Sequence, residues 1–325
     1  MLKLMKRLSY LIVFYSGYYH IVCAINRILD KKGFTILMYH KITKDNAKFE
    51  SQIKYLHNNY EVITFDELLK CYKNTKKLSK NTAIITFDDG YKDNYTVAYP
   101  ILKKYNLPAT IFLTTGHIDN NELLWWDKVS YIISKTKIKK VRLEGLGNFS
   151  LSIKEKAVRK IQKKLKNLDN DKKNSLLLQL EKELKVKIPK SSNLFLSWNN
   201  VKEMSMNNIS FGAHTVSHPI LTRMSFNQAK HEIINSKNQI ERVIDKKVSL
   251  FAYPNGTIRD MSTTIDEFLK KAGFKFALST VYGLNKLGSF RLKRIGIDAD
   301  DDIRLFRIKL LGIGRGIAPL YMKLL

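Results

Sequence analysis

Short apolar runs bounded by turn residues alternate with helix-like stretches through most of the chain, which predicts an α/β fold built on a parallel sheet or barrel. Length agrees, because 325 residues can bury one large core with decorations. The placement of polar residues agrees as well: the chemically suggestive clusters directly follow apolar runs, where a barrel puts functional side chains on its C-terminal rim. A hydrophobic fraction of 44% is that of a globular protein, not of a disordered or wholly membrane-embedded one.

The strands are expected at residues 35–39, 83–87, 109–113, 209–212, 250–253, 274–278 and 291–297, each short, apolar and flanked by turn formers. Helices are expected at 65–72, 95–105, 225–244 and 264–272. Residues 119–189 break the alternation with a Lys- and Asn-rich stretch and read as an insertion. Within it Ser152 and Glu155 have the spacing of a capping box. Ile153, Ala157, Ile161, Leu165 and Leu168 then recur at helical intervals, and Leu177, Leu180 and Leu184 form a second stripe, which predicts a helical hairpin over the domain. The chain divides into an apolar and basic segment at 1–32, a catalytic domain at 33–300 and a basic amphipathic tail at 301–325.

The balance of 57 Lys and Arg against 29 Asp and Glu gives +28, a field that attracts anionic surfaces such as phospholipid, phosphorylated glycan or nucleic acid. A composition bias toward Lys, Asn and Ile accounts for it equally well, so no nucleic-acid partner is inferred. Cys23 and Cys71 are the only cysteines and neither belongs to a C-x-x-C pair, so the sequence gives no sign of a disulfide framework or a thiolate zinc site. Lys3, Lys6 and Arg7 precede an apolar run over 8–25 with four Tyr, and Arg27, Lys31 and Lys32 follow it. That pattern suits an in-plane anchor, or an ordinary amphipathic helix packed on the domain. No small-x-small cleavage site follows it. From Arg304 onward Arg and Lys are mixed with Leu, Ile and Phe, which suits either an anionic membrane surface or a solvated closing helix. The expected protein is membrane-associated and bacterial, its membrane face unread, with a cytoplasmic location as the alternative.

Two features carry chemistry. The run 83–87 ends in Asp88, Asp89 and Gly90. Adjacent carboxylates repel unless a cation or proton is shared, so one as metal ligand and its neighbour as free base is a natural division, although Asp-Asp-Gly also makes a turn. The run 209–212 leads to His214 and His218, four residues apart. On a helical turn that spacing would put both imidazoles on one face, where with a carboxylate they suit zinc with an open water position.

Together Thr86-Phe87-Asp88-Asp89-Gly90, His214-x-x-x-His218 and Phe251-Ala252-Tyr253-Pro254-Asn255-Gly256 resemble the ordered motifs of the NodB-type polysaccharide deacetylases, over roughly residues 33–300. The resemblance implies a distorted (β/α) barrel with a helical insertion, one divalent metal, usually zinc, and Asp89, His214 and His218 as its ligands. It makes Asp88 the general base that activates the attacking water, and the backbone N–H of Asn255 the oxyanion donor. No His follows His231 to act as the late general acid. Leu37-Met38-Tyr39-His40 is similar to a segment of the bacterial poly-N-acetylglucosamine deacetylase branch, which assigns that role to His40, with His117 in reserve. The third motif departs from the commoner form: Ala252 stands where the family has an Arg that tunes the base, and Asn255 where it has an aromatic. Arg294 is the candidate replacement. Trp125, Trp126 and Asp127 resemble a W-W-D segment of some deacetylases, so Tyr91, Trp125, Trp126, Tyr253 and Pro254 are expected at the substrate, with core packing as the plainer role for the Trp pair.

The expected function is metal-dependent removal of N-acetyl groups from amino sugars of a cell-envelope or surface polysaccharide or its lipid-linked precursor. Rivals are a deformylase or deacetylase of one small lipid-linked amino sugar, an O-acetyl esterase, and a catalytically inactive glycan-binding module.

Overall fold

The computed structural model describes residues 33–42, 46–74, 78–79, 81–120, 122–189 and 193–310. The expected anchor at 1–32 and the end of the tail at 311–325 lie outside these residues. Among the described residues no helix is long and apolar enough to cross a membrane.

Runs that are apolar at odd and even positions alike need cover on both faces, as strands in parallel sheets have. Such runs form β1 (Thr35–Tyr39), β3 (Thr82–Phe87), β4 (Ala109–Leu113), β7 (Ile209–Ala213), β8 (Leu250–Ala252) and β9 (Phe276–Leu278). With β2 (Glu61–Val62), β10 (Arg291–Leu292) and β11 (Ile295–Gly296) they make one sheet in the order β10-β9-β8-β7-β4-β3-β1-β11, β2 pairing with the start of β3. All its pairings are parallel.

The predicted last strand at 291–297 is split, and the split explains the shape. Its halves, β10 and β11, sit on opposite edges of the sheet with only Lys293 and Arg294 between them. Two residues span little more than about 10 Å of chain, so the sheet must curl until its edges nearly meet. The result is a curled half-barrel with helices outside, the distorted (β/α) barrel expected.

Period-two alternation then sorts the core. Ile36, Ile84, Phe112, Leu250, Ala252, Phe276 and Leu278 pack with Phe65 and Leu68 in one cluster. Leu37, Ile85, Phe87, Ile111, Phe211 and Phe251 join the other, where they meet Phe49, Ile53 and Leu56 of α1 (Asn46–Asn59). His40, Asp88 and His214 continue the first parity one step beyond β1, β3 and β7, and so converge at the barrel's C-terminal mouth.

The remaining helices are α2 (Phe65–Asn74), α3 (Tyr99–Lys104), α4 (Trp125–Lys135), α5 (Lys154–Leu165), α6 (Asn170–Glu183), α7 (Trp198–Ser205), α8 (Phe226–Ile244), α9 (Thr263–Lys271) and α10 (Ile303–Leu310). The insertion holds three helices, α4 to α6, and an antiparallel hairpin, β5 (Lys140–Leu143) with β6 (Gly147–Ser150), rather than a bare helical hairpin. Its own core gathers Val129, Ile133, Phe149, Ile161, Leu165 and Leu180. The expected capping box does not form: α5 starts a residue later, with Ile153 at the N-cap and no side-chain cap, and the Ser152 hydroxyl lies 3.2 Å from that of Ser150. The start of the expected surface tail is also packed inward, since Leu305, Phe306 and Ile308 of α10 are buried and Phe306 meets Tyr55 edge to face.

Candidate metal centre and catalytic cleft

At the end of β3 the backbone turns sharply. The Asp88 N–H still donates to Tyr39 O at 2.9 Å, as in a sheet, whereas Asp89 and Gly90 adopt φ of +75° and +76°. A Cβ on Gly90 would lie 2.8 Å from a methyl of Leu113, so this turn needs glycine for room as well as for conformation. The reversal separates the two carboxylates.

Asp89 faces the histidines. His214 Nε2 and His218 Nε2 lie 3.6 and 3.5 Å from Asp89 Oδ1, and one ligand atom from each of the three residues falls within 4.8 Å of the others. The pair converges differently from the helical turn expected. His214 directly follows β7, and left-handed residues Thr215 (φ +68°) and His218 (φ +57°) fold the chain back. His214 Nδ1 lies 2.7 Å from Ala252 O, a contact that requires a proton on Nδ1 and leaves Nε2 as the lone-pair nitrogen.

The three residues fit a cation. Asp89 Oδ1, which faces both Nε2 atoms, is buried with no hydrogen-bond partner among the described residues. Burial pushes His214 down to about 4 and His218 well below the usual imidazole range, so both rings are neutral, as metal ligands must be. Burial, then Asp88 and Asp127, hold the Asp89 carboxyl well above its usual range, a penalty that a bound cation would relieve.

Asp88 is held on its other side. Arg294, fully buried, donates from Nη1 to Oδ1 at 2.7 Å and from Nη2 to Oδ2 at 2.8 Å, and from Nε to Ser279 O at 2.9 Å. Burial alone would raise the Asp88 carboxyl, but Arg294, followed by His214, brings it below the usual carboxylate range. The link between β10 and β11 therefore brings to Asp88 a guanidinium that Ala252 does not offer. His40 Nε2 stands 4.0 Å from Asp88 Oδ2 with its ring 47% exposed. Desolvation by the cleft walls, then Arg294 and Lys41, lower its pKa against the opposing pull of Asp88.

These groups open into a cleft of about 500 Å³. Its lining brings together His40, Asp88, Asp89, His214, His218 and Asn255 with Tyr91, Trp125 and Trp126, all expected, and Lys41, Asp127, Gln162, Lys166, Ile220 and Thr280, to which no role was assigned. A family model described as polysaccharide deacetylase matches residues 75–277. The chain belongs to the polysaccharide deacetylase family. Such an enzyme is a hydrolase of non-peptide carbon–nitrogen bonds.

Among its relatives, this deacetylase is 24% identical over 271 residues to YxkH of Bacillus subtilis (strain 168), provisionally named a polysaccharide deacetylase, covering 81% of this chain and 70% of that one. It is 40% identical over 104 residues to the poly-beta-1,6-N-acetyl-D-glucosamine N-deacetylase of Staphylococcus aureus (strain MSSA476), covering 32% of this chain and only 34% of that protein. The fold is similar to that of IcaB from Ammonifex degensii, with a TM-score of 0.57, 17% identity, and coverage of 86% and 97% of the two chains.

Three expected residues fall elsewhere in the deacetylase. Tyr253 and Pro254 are buried outside the cleft lining, and the Tyr253 hydroxyl donates to Asp266 at 2.6 Å. His117, the reserve acid, is likewise spent on structure: its Nδ1 lies 2.8 Å from Glu122 O and its ring packs on Phe195.

The insertion supplies one wall of the cleft. The Trp126 ring meets that of His218 at 4.5 Å, and its Nε1 donates to the Tyr91 hydroxyl at 3.3 Å. Asp127 accepts from Lys41 Nζ at 3.0 Å and from the Tyr91 hydroxyl at 3.2 Å. Lys166, just past α5, donates to Asn255 Oδ1 at 2.6 Å and thereby links insertion and barrel.

Proposed function

We propose that this deacetylase removes N-acetyl groups from amino sugars of a cell-envelope or surface polysaccharide, or of its lipid-linked precursor, with one divalent metal, zinc, held by Asp89, His214 and His218. The observation that carries the reading is the pairing of this neutral-His, carboxylate triad with a second carboxylate, Asp88, kept ionised beside it by Arg294. The name of the Staphylococcus aureus relative supports an N-acetylglucosamine polymer as the substrate class.

When bound, the metal polarises the acyl carbonyl and makes water acidic enough to attack at neutral pH. Asp88 accepts the proton of the attacking water, a task for which its lowered pKa keeps it unprotonated. The N–H of Asn255, which faces no hydrogen-bond partner among the described residues, donates to the carbonyl oxygen as charge gathers there. His40, across the cleft mouth from Asp88, has a protonated form that its lowered pKa makes the minor but more acidic one, and in that form it gives a proton to the sugar nitrogen as the carbon–nitrogen bond breaks, so that acetate and a free amine leave. Trp126, half-buried at the cleft, offers aromatic surface beside this centre, suited to the apolar side of a pyranose ring, whereas Trp125 and Tyr91 line the cleft as buried residues.

Acetate release from β-1,6-linked N-acetylglucosamine oligomers by the purified chain tests this reading. Release that His40→Ala and Asp88→Asn each reduce by about 10²-fold or more supports the assigned acid and base. Tight oligomer binding without release would instead favour a glycan-binding module.

A further inference from the structure

The two histidines of the triad are not held alike. His214 is fixed by its strand, with its N–H on Leu113 O at 3.0 Å, and by its ring contact with Ala252 O. The His218 Nδ1 has no hydrogen-bond partner among the described residues, so apart from its ring contacts with Trp126 and His214 the direction of its ring depends on the turn that carries it. That turn is strained, since Thr215 and His218 are both left-handed and Thr215 is β-branched. Such residues are costly and persist only where surrounding contacts over-determine them.

The contacts converge on one carboxylate outside the cleft. Glu232, half-buried in the second turn of α8, accepts the N–H of Val216 at 2.7 Å and that of Ser217 at 2.9 Å on Oε2, and the Ser217 hydroxyl at 2.7 Å on Oε1. From the opposite side the Thr115 N–H donates to Thr215 O at 3.1 Å and the Gly116 N–H to Val216 O at 2.8 Å. Within the turn the His218 N–H donates to Thr215 Oγ1 at 3.1 Å. Two successive amides aimed at one carboxylate oxygen hold both peptide planes, and charge-assisted bonds are about twice as strong as neutral ones.

We propose that Glu232 is a positioning residue for the metal centre: by clamping Val216 and Ser217 it holds the turn in which the His218 ring faces Asp89. The inference rests on the reading of Asp89, His214 and His218 as metal ligands. Glu232 is not among the residues that line the cleft, and its effect is transmitted through His218.

The test is zinc affinity of the full chain, measured by competition with a chromophoric chelator, with melting of the metal-free protein as a check on folding. Glu232→Ala should weaken zinc binding about 10–100-fold, the range for lost outer-shell partners. Glu232→Gln can accept both amides through its carbonyl and donate to a rotated Ser217 hydroxyl, and should stay within about threefold of wild type. Glu232→Asp, too short to reach both amides, should fall between, and serves if the alanine variant does not fold. In a His218→Ala background Glu232→Ala should weaken zinc no further, because the ligand it positions is gone. Unchanged affinity in Glu232→Ala, or in Glu232→Asp if only that variant folds, or an equal further loss without His218, overturns the inference and leaves the metal reading standing. Wild-type protein that binds no zinc overturns both.

Discussion

The barrel rim and the insertion meet at the same cleft but hold their side chains by different means. On the rim, His40, Asp88 and His214 follow from strand parity, Asp88 is gripped by Arg294 and His214 by Ala252 O, so their positions are tied to the sheet itself. The insertion stands on a core of its own, and Trp126 on His218, Asp127 on Lys41 and Tyr91, and Lys166 on Asn255 are its polar and aromatic reaches into the site. The difference teaches a division of labour: the sheet fixes the chemistry, and a separately folded wall shapes what can reach it.

That division can be broken from either side. On the rim the largest effect should come from Asp89→Ala or His214→Ala, which are expected to lose metal and with it all measurable acetate release. Arg294→Gln comes next. It leaves a buried carboxylate without its partner, and breaking such a pair costs about 3–5 kcal/mol, to be read from denaturant melts. The pH dependence has a definite sign. Asp88 is depressed in the folded protein, so the stability it contributes is present above the unfolded carboxylate pKa and lost as pH falls through the folded one. Arg294→Gln should flatten that dependence and move the acid limb of kcat/KM to higher pH. An unmoved limb would mean that Asp88 is not the base.

The wall should respond more mildly. Gln162→Ala and Lys166→Gln are expected to raise KM by a few-fold, roughly 1 kcal/mol, with kcat nearly unchanged. A hundredfold fall in kcat from either would place the insertion inside the chemistry and dissolve the comparison. The smallest effect belongs to Tyr253→Phe, which forfeits the bond to Asp266 for about 1 kcal/mol of stability and should leave KM where it was.

What could be foreseen from the chain follows the same line. Asp88, Asp89, His214 and His218 were legible because each lies within a few residues of a strand end, so local pattern and local chemistry coincide. Arg294 could be named only as a candidate, because its grip on Asp88 spans 206 positions and depends on a sheet that curls until its edges approach, which no local pattern announces. Lys41 and Lys166 are two of 57 cations, with nothing near them in sequence to single them out. His117 misled for the opposite reason: it follows a strand as the site residues do, but the short helix at Thr115–His117 turns it onto Glu122 O. The helix α1 was not expected, because the polar remainder masked its stripe of Phe49, Ile53 and Leu56. In the insertion, the alternation of exposed and buried residues in β5 was hidden by the same Lys-rich composition that marked the segment as foreign.

The most direct test measures bound zinc and acetate release in the same samples of wild-type, Asp89→Ala and Asp88→Asn protein, after chelation and zinc restoration. Zinc and activity restored together in wild type, both absent in Asp89→Ala, and zinc bound without activity in Asp88→Asn would be the predicted outcome. Loss of zinc from Asp88→Asn, or full release by chelated wild type, would contradict the separation of ligand from base on which the account stands.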